Sequence, residues 1–185
     1  MNLSILSSNL PKPINDGKSS HLFHSKIPEI ELPNQDGILL RLNRIDTFRL
    51  IIYCYPMTGN PKKPLPENWD NIPGARGCTP QTCSFRDHYE ELIKLNSVPI
   101  GLSTQSIDDI KEMTKRLLIP YDVVSDDKLK FTELMKLPTF NIKSRIYIKR
   151  ITLIIEKSII KKVFYPIFPP DKHIFDVLRW LRKNN

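Results

Sequence analysis

Apolar positions fall along this chain in two rhythms: short unbroken runs, and stretches with a hydrophobic residue every three or four positions. Arg49-Leu50-Ile51-Ile52-Tyr53-Cys54-Tyr55 is nearly all apolar, the pattern of a strand covered on both faces. Residues 98–103 repeat it, and Tyr121-Asp122-Val123-Val124 predicts a shorter strand. Between these runs Phe85, Tyr89, Leu92 and Ile93 share one helical stripe. Ile107, Ile110, Met113 and Leu117 form another, with Ser106 as its N-cap. Residues 30–33 and 38–42 flank Asp36-Gly37 and predict a hairpin. Asp126 is expected to open a helix with Leu129, Leu134 and Met135 inward, stopped by Pro138. Residues 139–148 alternate loosely and read as an edge strand or a loop. Residues 150–155 and 159–165 form a hairpin around Glu156-Lys157-Ser158. A last helix from Asp171 buries Ile174, Val177, Leu178 and Leu181. Strands alternating with helices, closed by a hairpin and a helix, give an α/β layered fold.

Two stretches break the pattern. Residues 1–25 are polar and aperiodic, which predicts a flexible or loosely docked leader before a single domain at 26–185. Residues 57–71 hold Pro61, Pro64 and Pro66 with Trp69 near the end, so regular structure is not expected there. So long a connection is either a functional flap, here beside Cys78 and pinned by Trp69, or a neutral surface insertion.

Composition narrows the function classes. The 185 residues carry a net charge of +8, but the lysines are scattered and few aromatics alternate with them. That favours a solvated basic surface over a nucleic-acid groove. No apolar run reaches transmembrane length, and residues 1–15 lack the pattern of a signal peptide. Neither nucleic acid nor membrane is therefore expected as a partner. Three cysteines are too few to staple a secreted mini-fold. In a reducing, cytoplasmic setting a close pair more readily cycles or binds metal. His21 and His24 lack partners for a metal site, and a zinc site of Cys78, Cys83 and a histidine lacks close ligand pairs. No metal or other cofactor is expected.

The chemistry concentrates in Gly77-Cys78-Thr79-Pro80-Gln81-Thr82-Cys83-Ser84-Phe85-Arg86-Asp87. A glycine-rich turn precedes it, so Cys78 falls at a helix N-terminus. Unpaired backbone N–H groups and the helix dipole there favour the nucleophilic thiolate, and Arg76 adds a positive charge nearby. On an intact helix, residues five apart have Cα atoms roughly 8–9 Å apart. An unstrained disulfide needs less than about 7 Å. A Cys78–Cys83 bond therefore requires the first turn to unwind. The plain reading, two half-buried cysteines without chemistry, stays open on spacing alone. Cys54, inside a strand, reads as a packing residue. His88, almost three turns beyond Cys78, is too distant to act as its base.

The order of these motifs resembles the peroxiredoxins, and within them the Q-type, or bacterioferritin comigratory, subgroup. The resemblance rests on Tyr53-Cys54-Tyr55-Pro56, Pro73-Gly74 and the Cys78–Cys83 stretch. It extends to Gly101-Leu102-Ser103-Thr104-Gln105-Ser106 and to Arg150-Ile151-Thr152-Leu153-Ile154-Ile155. It implies a thioredoxin-like α/β/α fold with a central mixed sheet. It further implies a thiol peroxidase acting on hydrogen peroxide and organic hydroperoxides. Cys78 would be the attacking sulfur, Cys83 the resolving one and Arg150 the donor beside them. Pro56, Gly77 and, across the insertion, Thr58 would contact substrate. A thioredoxin-like dithiol protein would be the reductant, and the chain a monomer or weak dimer. One position departs: most peroxiredoxins have Thr or Ser three residues before the attacking cysteine, where this chain has Ala75. The rival readings are a thiol–disulfide oxidoreductase, which lacks the Cys-x-x-Cys spacing, and a non-catalytic redox-sensing interaction protein.

Overall fold

Five strands form the central sheet of the computed structural model, which describes residues 10–184. In spatial order they are β5 (Val123–Ser125), β4 (Ser97–Ser103), β3 (Arg49–Cys54), β8 (Ile151–Glu156) and β9 (Ile159–Phe164). β3, β4 and β5 run parallel; β8 is antiparallel to β3, and β9 to β8. The sheet is therefore mixed. All six residues of β3 are buried, as its unbroken apolar run requires. Its alternate side chains divide the core. Leu50, Ile52 and Cys54 pack with Leu22, Ile27, Phe131 and Leu153 on one face. Ile51, Tyr53 and Tyr55 pack with Phe85, Leu92, Ile110 and Val177 on the other. Burial pushes the Cys54 thiol pKa up, which suits a packing role.

Helices α1 (Cys78–Asp87), α2 (Tyr89–Lys94) and α3 (Ile107–Leu117) connect the parallel strands. Ser106 caps α3 by accepting from the Asp109 N–H. The final helix α5 (His173–Lys183) buries Ile174, Val177, Leu178 and Leu181, the stripe the spacing predicts. The hairpin of β1 (Glu31–Pro33) and β2 (Leu39–Arg41) turns at Asp36-Gly37, where Gly37 sits at φ +81°. Asn34 Oδ1 holds that turn by accepting from the N–H groups of Asp36 and Ile38. Residues 139–148 form a separate hairpin, β6 (Thr139–Ile142) with β7 (Arg145–Ile148).

The structure shifts one helix. α4 spans Lys130–Leu134, so Asp126 does not open it directly. Instead the Asp126 carboxylate accepts from the N–H groups of Phe131 and Thr132, and from the Thr132 hydroxyl. That extra turn rotates the phase. Phe131 and Met135 face the core, whereas Leu134 is 59% exposed and Leu129 is half-buried.

Part of the leader is docked on the domain. Residues 1–9 lie outside the described residues, but 16–25 are docked. Leu22 is fully buried, the His24 N–H donates to the Ile160 carbonyl, and Lys26 bridges to Ile159. Asp16 pairs with Lys149 at 2.8 Å and accepts from the Tyr165 hydroxyl at 2.8 Å. These partners are 100 or more residues away, so no local pattern reveals them.

The proline-rich insertion carries one short 3-10 turn, Trp69–Asn71. Trp69 is 3% exposed and meets the Tyr147 ring edge-on at 5.2 Å and Phe140 at 6.0 Å. Ala75, Met57, Leu65, Ile72 and Ile142 complete this small cluster. Trp69→Ala should cost roughly 3 kcal/mol by opening it. Limited proteolysis checks this: cleavage within 57–71 should be slow in the parent and fast in the variant.

Candidate active site

Gly77 decides where α1 begins. Its φ of +95° is left-handed, which a side chain would strain. The chain turns there, and Cys78 becomes the first helical residue. The N–H groups of Cys78 and Thr79 are among the first-turn donors that no intrahelical carbonyl meets. Pro80 offers none, and its fixed φ suits the first turn.

Arg150 reaches this helix end from another layer. It precedes β8, whose register pairs Ile151 with Cys54, so residue 150 lies alongside the end of β3. Arg150 Nη2 donates to Cys78 Sγ at 3.1 Å, to the Arg76 carbonyl at 2.9 Å and to the Gly74 carbonyl at 3.3 Å. Nη1 donates to Gln81 Oε1. The guanidinium is thus aimed by two backbone carbonyls and one amide. Cys78 is 2% exposed and Arg150 3%. The Cys78 S–H also reaches the Ala75 carbonyl at 3.4 Å. Arg150 Nε, Gln81 Nε2 and the Tyr55 hydroxyl are buried with no partner among the described residues.

Cys83 lies half-buried on the same unbroken helix, and all three cysteines are free. Burial raises the Cys83 thiol pKa, while the Arg86 charge opposes the rise. The Arg76 guanidinium pairs with Asp70 at 2.6 Å.

The other two expected contacts sit in a neighbouring network. The Pro56 carbonyl accepts from the Ser103 hydroxyl at 3.1 Å. Both the N–H and the hydroxyl of Thr58 donate to Gln105 Oε1, at 2.8 and 3.1 Å. The structure therefore joins Cys78, Gly77 and Arg150, and ties Thr58 to Gln105. Sequence reasoning passed over Gln81, although it lies one turn beyond Cys78. It also missed His173, which is buried, bonds Thr152 Oγ1 at 2.9 Å and has its pKa lowered to about 3. Burial is the main cause, with the Arg150 charge adding to it. Among the described residues, no group of three or more His, Cys, Asp or Glu is placed to hold a metal.

Known proteins place this arrangement. The Redoxin family model matches residues 24–178, and the chain belongs to that family. Within it, the chain is similar to Q-type peroxiredoxins, as the motifs led one to expect. Chloroplastic peroxiredoxin Q of Populus jackii is 25% identical over 155 residues, covering 84% of this chain. The chain spans 65% of that protein's length. The crystal structure of peroxidoxin BcpB from Mycobacterium tuberculosis superposes with a TM-score of 0.73 at 21% identity, covering 88% of this chain and 97% of that one. The Xanthomonas campestris bacterioferritin comigratory protein gives 0.68 at 16% identity, covering 95% and 99%. The fold is thus the thioredoxin-like one of these proteins.

His173 gives a prediction about acid stability. Its folded pKa lies below the unfolded value, so the unfolded chain binds the extra proton between about pH 6.5 and 3. Stability should fall through that window as pH drops, by up to about 1.4 kcal/mol per pH unit from this group. Urea titrations from pH 7 to 4 should show a shallower decline for His173→Asn.

Proposed function

We propose that the chain is a thiol peroxidase in which Cys78 attacks the peroxide and Cys83 resolves the oxidised sulfur. The observation that carries this reading is Arg150 Nη2 at 3.1 Å from Cys78 Sγ at the start of α1. The Cys78 thiolate attacks one peroxide oxygen, an S–O bond forms and the O–O bond breaks. Negative charge moves onto the departing oxygen, which takes a proton and leaves as water or an alcohol. Preorganised donors aimed at that oxygen lower the barrier. Arg150 supplies permanently charged ones, and the N–H groups of Gly77 and Cys78 supply others. The unpartnered Arg150 Nε, Gln81 Nε2 and Tyr55 hydroxyl support a polar occupant here. Pro56 follows the end of β3, alongside which Arg150 lies, and its carbonyl is held by the Ser103 hydroxyl. Thr58 acts through Gln105 in this reading, since its hydroxyl already donates there.

Cys78 sulfenic acid then condenses with the Cys83 thiol, releasing water and forming a disulfide. A thioredoxin-type dithiol restores both thiols by exchange. We place this cycle in the cytoplasm, where such dithiols are kept reduced, in a monomer or weak dimer. Hydrogen peroxide and organic hydroperoxides are the substrates; nucleic acid and membrane are not partners. Among the described residues, no helix is long and apolar enough to cross a membrane.

The near-complete enclosure of Cys78 also favours a small peroxide over a protein disulfide, which needs an accessible sulfur. A redox sensor without turnover would not need Arg150 held by four acceptors.

Stopped-flow mixing with hydrogen peroxide, following thiol loss, tests the reading. Cys78→Ser should abolish the reaction, and Cys83→Ser should allow one oxidation without recycling by thioredoxin. Arg150→Lys, keeping charge but not the fork, should lose on the order of 10²-fold in rate. A parent chain that keeps its thiols in peroxide would overturn the assignment.

A further inference from the structure

A cavity of about 210 Å³ lies beside Arg150. Its lining is mainly apolar, with Ile72, Phe140 and Ile167 on the domain side and Pro13 and Ile14 of the leader opposite. It exceeds the roughly 150 Å³ of an apolar cavity that admits benzene, so a ring or short branched chain fits. Arg150 belongs both to this lining and to the sulfur's contacts, whereas Cys78 does not line the cavity.

That asymmetry matches the geometry of an organic hydroperoxide. The thiolate attacks the terminal oxygen, taking it as sulfenic acid while the sulfur gives up two electrons. The other oxygen leaves as alkoxide and is protonated to the alcohol. The carbon group hangs on that leaving oxygen. It is therefore held away from the sulfur, on the side where donors meet the leaving oxygen, and Arg150 is that donor. The leader wall is fixed by the Asp16 carboxylate, which meets Lys149 and Tyr165, both also in the lining. Burial would raise the Asp16 pKa, but these two hydrogen bonds hold it down to about 2, so the anchor stays charged.

We propose that this cavity receives the alkyl or aryl group of an organic hydroperoxide. On this proposal Pro13 and Ile14 are its outer wall, setting the preference for organic over hydrogen peroxide. The proposal rests on the peroxidase reading above. Ile14 is 81% exposed, so substitutions there should leave folding intact.

The test measures kcat/KM for cumene hydroperoxide and for hydrogen peroxide on the full chain. Ile14→Glu, which puts charge on the apolar wall, should lower the cumene-to-hydrogen-peroxide ratio about tenfold, and Ile14→Leu should keep it within about twofold. A ratio that stays within about twofold in Ile14→Glu overturns the cavity assignment while leaving the peroxidase intact. A parent chain inert to both peroxides sinks the peroxidase reading and this one with it.

Discussion

A guanidinium buried between two layers is the constraint on which the site depends. An unpaired charge at that depth would be very costly, so the surroundings have to supply acceptors. The Gly74 and Arg76 carbonyls and Gln81 Oε1 do so, and Cys78 Sγ takes a further donor. Three of these four acceptors come from the turn and helix that carry the cysteine, residues 74–78; the fourth is one helical turn on. Pairing of β8 with β3 brings the arginine; the left-handed Gly77 brings the helix end. Either device alone leaves the sulfur without its donor.

The same packing limits how Cys83 can reach Cys78. The far half of α1 is fixed in the core. Phe85 is fully buried and stacks on Tyr53 at 4.3 Å, and Arg86 donates to the Leu117 carbonyl at 2.7 Å. The Tyr121 hydroxyl donates to the Thr82 carbonyl at 3.2 Å, one residue before Cys83. Residues 78–81 are buried too but carry no aromatic ring, and the Arg150–Gln81 bond and the Cys78 contacts tie them to the site. Unwinding from the N-terminal end breaks few helical hydrogen bonds, whereas unwinding from the other end would pull an aromatic ring out of the core. On the proposed cycle, the motion that would close a Cys78–Cys83 disulfide thus starts from the helix N-terminus.

Much of this was readable from local pattern. The unbroken apolar run of β3, the Ser106 cap, the Asp36-Gly37 turn and the α5 stripe each obey short-range rules, and the structure follows them. The motif order carried Arg150 to Cys78 across 72 positions, which no periodicity would do. What stayed hidden depends on distant partners. Phe131 was passed over because the Asp126 carboxylate binds backbone beyond the first turn and rotates α4. Leu22 sits in a polar stretch, and only the sheet face it meets makes it a core residue. His173 carries no signal in the local pattern; Thr152 and the Phe85 and Phe164 rings make it a buried group.

The missing hydroxyl at position 75 and the long insertion make one physical unit. Ala75 is fully buried and belongs to the apolar cluster in which Trp69 of the insertion meets Tyr147 of β7. A threonine there would bring a hydroxyl into that cluster, and burying one without a partner costs about 1–3 kcal/mol. Alanine avoids the cost, and its carbonyl still meets the Cys78 sulfur. The insertion thus trades a side-chain donor for an aromatic brace on the turn that aims the nucleophile. On the peroxidase reading, orientation of the peroxide then falls to the arginine fork and the backbone N–H groups where the helix starts.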